Sequence, residues 1–462
     1  MPLDRSPVKH RALTIATQES NAGVRPFVVN NRLVLSIALP MMLAYMTTPL
    51  IGVADTAVIG RLGDAALLGG LAAGAIMFDL VFATFNFLRT GTTGLVAQAF
   101  GRGDLTEERA VFWRAMILAL VIGVLLILAA PAVAWAGGHF MAAEPAVTQA
   151  MAAYVTIRLI SAPFALANYA ILGYVLGRGE AGLGLFLQLV INVTNIALSV
   201  ALGLWMGWGV AGVAWATVVA EGAAVVIGMA ILVPRFRRLP PLAPSVLRNM
   251  EALKVMFALN RDIMIRSFVL LGAFALFARQ GAQLGTLTLA ANAVLMNFFL
   301  LAGYFLDGFA TAAEQLAGRA VGGRHRPAFD AAVRLTAIWG FAIAALVTAF
   351  FLLVGDSFIA LMTTSPEVRA AAGAYLPWAA LTALSGVLAF QMDGVFMGAT
   401  WSRDLRNMML LSFAFYVAAL TTLAPLYGNV GLWATLHVFL IARGLSLAAM
   451  VPRRARATFR GS

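Results

Sequence analysis

Six carboxylates stand inside long apolar runs of this sequence: Asp55, Asp79, Glu221, Asp307, Glu314 and Asp393. Two arginines, Arg89 and Arg158, share that setting. Placing such a charge at the centre of a membrane helix costs about 2.5–3.5 kcal/mol on insertion scales, so it marks either an ion or substrate path or a structural ion pair. The chemistry on offer is exchange of protons or cations rather than bond making. No catalytic constellation accompanies these residues, and no phosphate-cradling loop that would use ATP is present. Cysteine is absent, which excludes disulfides and thiolate metal sites. The four histidines, His10, His139, His325 and His437, make no metal-ligand spacing. The sequence therefore reads as a non-enzyme with no cofactor and no metal.

Spacing sorts the polar residues further. Asp55 follows Pro40 and Pro49, and Thr48 precedes it by one heptad on nearly the same face. Each proline frees a backbone carbonyl and permits a kink. A bendable helix carrying a carboxylate is a candidate ion-responsive element; the bland reading is a helix-end carboxylate. Gln188, Asn192, Asn195 and Ser199 recur at i, i+4, i+7, i+11, which aligns them on one stripe. That stripe serves either as interhelical glue or as the wall of a wet cavity facing Asp55. Asp307, Thr311 and Glu314 repeat the i, i+4, i+7 spacing, and with Glu221 they are further cavity candidates. Arg89 and Arg158 are expected to pair with carboxylates on neighbouring helices. Asp262 and Arg266, at i and i+4, are expected to pair locally.

The elements that must position these residues follow from composition. Of 462 residues, 61% are hydrophobic and only 11% charged, which places the chain in the membrane class. A helix needs about 20 apolar residues to cross a bilayer. Runs of that kind cover 33–59, 66–99, 112–136, 147–177, 182–206, 209–233, 259–284, 287–317, 330–354, 370–399, 405–427 and 429–450. The run beginning at Leu33 is too long for the apolar core of a signal peptide and reads as the first span. The net charge of +12 sits in alternate short loops and not in a nucleic-acid-binding patch. Arginines crowd the loops around residues 102–114, 235–248, 324–334 and 453–460, whereas the loops near 138–146 and 355–368 are almost free of them. This asymmetry predicts cytoplasmic termini and an even number of spans.

The chain also repeats. Leu95, Ala99, Gly101, Tyr154, Gly173 and Gly177 match Leu316, Ala320, Gly322, Tyr375, Gly394 and Gly398 at a constant offset of 221, and Trp215-Ala216-Thr217 matches Trp433-Ala434-Thr435. Six spans per unit makes the repeats parallel, related by an axis along the membrane normal, with a central cleft and rocking of the lobes as the natural motion. The expected organisation is a cytoplasmic tail 1–32, a first lobe 33–233, a proline- and arginine-rich linker 234–258, a second lobe 259–450 and a tail 451–462.

With these residues in place the chain resembles the multidrug and toxic compound extrusion (MATE) family, in its DinF-like branch. The resemblance runs from Leu33 to about Val451 and rests on Pro40 through Asp55, on Phe87 through Gly101, and on Asp393 through Thr400 followed by Arg406-Asn407. It implies an all-α, two-lobed antiporter of the bacterial inner membrane, exporting cationic or amphipathic compounds against inward H⁺ or Na⁺ flow. The family's coupling carboxylates in spans 1 and 10 fall on Asp55 and Asp393. Some members carry an aspartate in span 5, where this chain has Asn192 and Asn195. The span 7 glutamate of several sodium-coupled members has no equivalent, which favours protons. The chain is expected to act as a monomer in the lipid bilayer. The alternatives are a lipid or glycolipid flippase of the same superfamily, and a scaffold or passive channel.

Overall fold

The computed structural model describes residues 25–141 and 144–460. The first 24 residues of the predicted tail, residues 142 and 143 of one loop, and the last two residues lie outside it. Within the described residues the chain is helical: α1 (Asn31–Gly60), α2 (Ala65–Ala83), α3 (Phe87–Arg102), α4 (Leu105–Met141), α5 (Pro145–Ile160), α6 (Ala162–Gly177) and α7 (Ala181–Leu198), then α8 (Gly209–Arg237), α9 (Pro244–Leu247), α10 (Met250–Gln283), α11 (Thr286–Gly322), α12 (Arg326–Met362), α13 (Pro366–Gly398) and α14 (Ser402–Thr458). Side chains cap several starts. Asn30 accepts from the Leu33 amide and Asp64 from those of Ala66 and Leu67, supplying partners to orphan N–H groups.

Twelve spans result. Nine of the described helices are long and apolar enough to cross a bilayer, counting α2 with α3 and α7 with its extension, and the pair α5–α6, bent by 49°, makes a tenth. Helix α14 breaks at Gly428, whose φ of 57° and ψ of −131° suit only glycine, so it holds two. Helix α10 is the twelfth; Arg261, Asp262, Arg266 and Arg279 dilute its apolarity. Span 2 is interrupted between Ala83 and Phe87, and α7 runs on as a π-helical turn, Ser199–Trp205. Helix α14 continues to Thr458, into the stretch read from sequence as a tail.

Glycines close the two halves in the same way. A methyl added at Gly173 would lie 2.7 Å from the Arg89 carbonyl oxygen, and one at Gly177 2.8 Å from that of Thr93. In the second half Gly394 and Gly398 sit against the carbonyls of Ala310 and Glu314, the residues 221 positions on. Between the halves the pattern is reciprocal: Gly101 sits against the Arg319 carbonyl and Gly322 against that of Gln98. The repeat is thus a two-fold arrangement in space. The halves meet through α1 and α3 packing on α11, with α10 and α13 touching α3.

Both described ends lie at one end of the bundle. The Arg25 amide donates to Gly323 O at 2.9 Å, and the Phe459 ring packs 5.5 Å from that of Phe329. Arginines at this end hold loops. Arg109 donates to Pro240 O at 2.8 Å and Arg114 to Val246 O at 2.6 Å, which ties the linker to α4.

Candidate functional site

A cavity of about 770 Å³ lies between the halves. Among the predicted residues, Thr48, Gln188, Asn192, Glu221, Asp307, Glu314, Asp393, Arg89 and Arg158 line it; Asp55, Asn195, Pro40 and Pro49 do not. Phe78, Phe82, Phe274, Phe299 and Phe390 give the lining an aromatic, apolar character. Toward the termini the halves are joined by Gln98, whose amide donates to Gly398 O at 3.1 Å and to the Thr400 hydroxyl at 3.0 Å. Tyr45 and Thr311 share a further hydrogen bond of 3.0 Å across the interface.

The polar stripe of α7 divides. Gln188 donates to Asn192 at 3.1 Å, and Asn192 donates to the Thr47 hydroxyl at 2.6 Å, both facing the cavity. Asn195 turns inward to Thr217 at 2.7 Å. Ser199, at the start of the π-helical turn, donates to the Asp55 carboxylate at 2.8 Å. Asp55 is only 5% exposed. Of the two readings of the stripe, Asn195 and Ser199 follow interhelical bonding and Gln188 and Asn192 face the cavity: the neighbour of Asp55 is a buried hydroxyl, and the cavity begins about two turns along the stripe, at Asn192.

The ion pairs are interhelical. Arg158 meets Glu221 at 3.3 Å and lies 3.7 Å over the Phe78 ring. Arg89 meets Glu314 at 3.8 Å, which joins α3 of one half to α11 of the other. Asp393 is held by two arginines, Arg266 and Arg443. The predicted local pair of Asp262 with Arg266 does not form. Asp262 instead accepts from Arg406 at 2.8 Å and from the Ser402 hydroxyl at 3.0 Å, because α10 presents Asp262 toward the start of α14 and Arg266 toward the cavity. Arg443 is a site residue that the sequence reading passed over. Its signal was present, as a lone charge within the apolar run 429–450.

The model of the MatE family, the multidrug and toxic compound extrusion proteins, matches residues 40–201 and again 263–422, once in each half. The chain belongs to this family. Among MATE relatives, the DNA damage-inducible protein F of Escherichia coli (strain K12) is 38% identical over 426 residues, which cover 91% of this chain and 92% of that one. A probable multidrug resistance protein NorM of Chromobacterium violaceum is 25% identical, covering 92% and 94%. Among solved structures, an outward-facing multidrug resistance MATE family transporter of the MOP superfamily superposes with a TM-score of 0.83 at 19% identity, covering 93% of this chain and 97% of that one. A MATE structure described as the straight conformation gives 0.84 at the same identity and coverage. These likenesses agree with twelve helices in two lobes and make this a multi-pass MATE transporter with bacterial relatives.

Proposed function

We propose that this MATE protein exports cationic or amphipathic compounds by antiport, with protons rather than sodium as the coupling ion. The observation that carries the reading is the cavity of 770 Å³ walled by both lobes, apolar and aromatic in most of its lining but studded with carboxylates. Such a site buries a lipophilic body and meets its charge. The polar and glycine contacts toward the termini close that side, so access in this state is from the far side. With both termini in the cytoplasm of the bacterial inner membrane, as the arginine asymmetry predicts, the far side is the outside.

Asp55 is the coupling group in this reading. Its carboxylate is buried, and its hydrogen-bond partner is the Ser199 hydroxyl. Protonation removes a buried charge and lets α1 bend at Pro40 or Pro49, which reshapes the first lobe and releases the substrate. The proton leaves on the cytoplasmic side after the lobes rock back. The cycle requires that substrate affinity differ between the two states. One chain contains both lobes and the whole cavity, so a monomer suffices. Proteoliposome efflux under separate proton and sodium gradients tests the proposal. Export driven by sodium alone removes the proton assignment, and the absence of any gradient-driven export removes the antiporter.

A further inference from the structure

The lipid-facing side of the second lobe carries a groove whose counterpart in the first lobe is filled. It encloses about 640 Å³ between α12, α13 and the last span of α14. Val333, Ala337, Met392, Ala448 and Val451 give it an apolar lining, and Arg334 stands on its rim. The internal repeat shows why the groove is open. Helices α4 and α12 each follow a residue at positive φ, Gly103 and Arg324, 221 positions apart. The last spans of the two lobes begin at Gly209 and Gly428, with φ of 55° and 57°, 219 positions apart. At that second offset buried Gly228 and Phe236 fall on buried Leu447 and Ala455. The first-lobe counterparts of Val333, Ala337, Ala448 and Val451 are therefore Phe112, Met116, Met229 and Leu232, which pack as one cluster. Trp113 stands where the second lobe has Arg334, and Phe236 where it has Ala455. The Phe236 ring lies 5.2 Å from that of Phe112 and 6.2 Å from that of Trp113. The first lobe thus fills with its own side chains a space that smaller residues leave open in the second.

We propose that this groove binds an anionic phospholipid from the leaflet on the side of the termini. An acyl chain takes the space that Phe112, Met116 and Phe236 fill in the first lobe, and the phosphate meets Arg334 and Arg456. The charges are placed for this. Arg334 is exposed and has no ion pair or hydrogen bond among the described residues. The acid one turn before it, Asp330, pairs with Arg326 at 3.6 Å. Arg456, also exposed and without a partner among the described residues, stands one turn beyond Pro452 on the same face of α14. The two guanidinium groups flank the end of the groove nearest the termini, which the Phe329 and Phe459 rings close. From Arg334 to Phe341 the groove runs two turns of α12, about 10 Å. That is within half the thickness of a bilayer core, so the apolar part lies at chain depth and the arginines near the headgroups. Basic pockets between membrane helices take anionic headgroups in this way. Met392 walls the groove while the next residue, Asp393, lines the central cavity. A seated chain therefore touches the same turn of α13 that holds Arg266 and Arg443.

Native mass spectrometry of the full-length protein in detergent counts retained lipid, and thermal unfolding reads its effect. The probes are dioleoylphosphatidylglycerol, dioleoylphosphatidylcholine and inorganic phosphate. One phosphatidylglycerol is expected to stay bound and to raise the melting temperature more than the choline lipid does, while phosphate alone does not raise it. Arg334→Ala and Arg456→Ala each weaken phosphatidylglycerol binding about fivefold, and Arg334→Lys retains it. Val333→Phe with Ala337→Met transplants the first-lobe filling; it is expected to expel the lipid and to leave a folded protein whose melting temperature no longer responds to it. Equal retention of the two lipids by the wild type overturns the assignment, as does undiminished phosphatidylglycerol binding in the folded filled variant. Should that variant not fold, the arginine variants decide, and unchanged affinity in both overturns it. Equal stabilisation by phosphate alone removes the lipid, and a dimer that the filled variant dissociates gives the groove to a second copy instead.

Discussion

The reciprocal glycine contact between the lobes sets up a sharp steric test. In Gly322→Ala the new methyl runs into the Gln98 carbonyl oxygen and lies 2.7 Å from both the Cα and the carbonyl carbon of Gln98. Carbon atoms pack best at about 3.5–4.0 Å, so α11 and α3 must part by about 1 Å at this point. Both partners are backbone, so no side chain can turn aside. Overpacking of this kind costs about 1–3 kcal/mol. Since the contact joins the two lobes, the cost falls on the state closed at the termini end, and the ratio of states shifts by about 5- to 150-fold toward the other. Gly173→Ala makes a milder clash of the same kind, 2.7 Å from the Arg89 carbonyl oxygen, but within the first lobe. It lowers stability and leaves the ratio of states alone. The chain lacks cysteine, so spin labels placed through Leu62→Cys and Leu287→Cys, exposed positions at the far ends of the two lobes, report the distance between them. Gly322→Ala is expected to enrich the shorter distance. Equal distributions in wild type and Gly322→Ala, or an equal shift in Gly173→Ala, refute the reasoning.

Other perturbations separate roles that the sequence merges. Asp55→Asn keeps the volume and the hydrogen bond to Ser199 but cannot release a proton; vesicle efflux against a pH gradient without sodium is expected to vanish, and full efflux ends the coupling role. Asp393→Asn leaves Arg266 and Arg443 without their carboxylate, and loss of one partner of a buried pair costs about 3–5 kcal/mol; the melting temperature in detergent should fall, and an unchanged melt would show that the trio carries no structural load. Single cysteines at Arg102 and Gly285, on opposite ends of the bundle, are expected to be closed and open respectively to an impermeant thiol reagent in intact cells, and the reverse pattern inverts the topology.

The spans and the repeat were legible because they depend on long-range averages. Apolar runs locate helices whatever their neighbours do, and the 221-residue offset survives because Gly173, Gly177, Gly394 and Gly398 each face a carbonyl that admits no side chain. Pairing was less legible. Asp262 stands four positions before Arg266, so helical geometry alone favours their union. Yet Arg406 and Arg443, 144 and 50 positions from their acids, take the partners that interhelical packing brings near. The α7 stripe shows the same limit: periodicity aligned Gln188 with Ser199, but only the packing of α1 and α8 decides which of its groups meet the cavity and which meet Asp55 or Thr217. The bend at α5–α6 had a signature in Pro163, at the first turn of α6, because a proline inside a span breaks the helix ahead of it; the π-helical turn had none.

The reversal inside α14 fixes how its two spans move. A single residue, Gly428, turns the chain between the last two spans, and a methyl at Gly431 would collide with the Leu423 carbonyl. With no loop between them, the two span ends have no slack to slide or spread apart at this end, so the pair travels as one stiff hairpin whenever its lobe shifts.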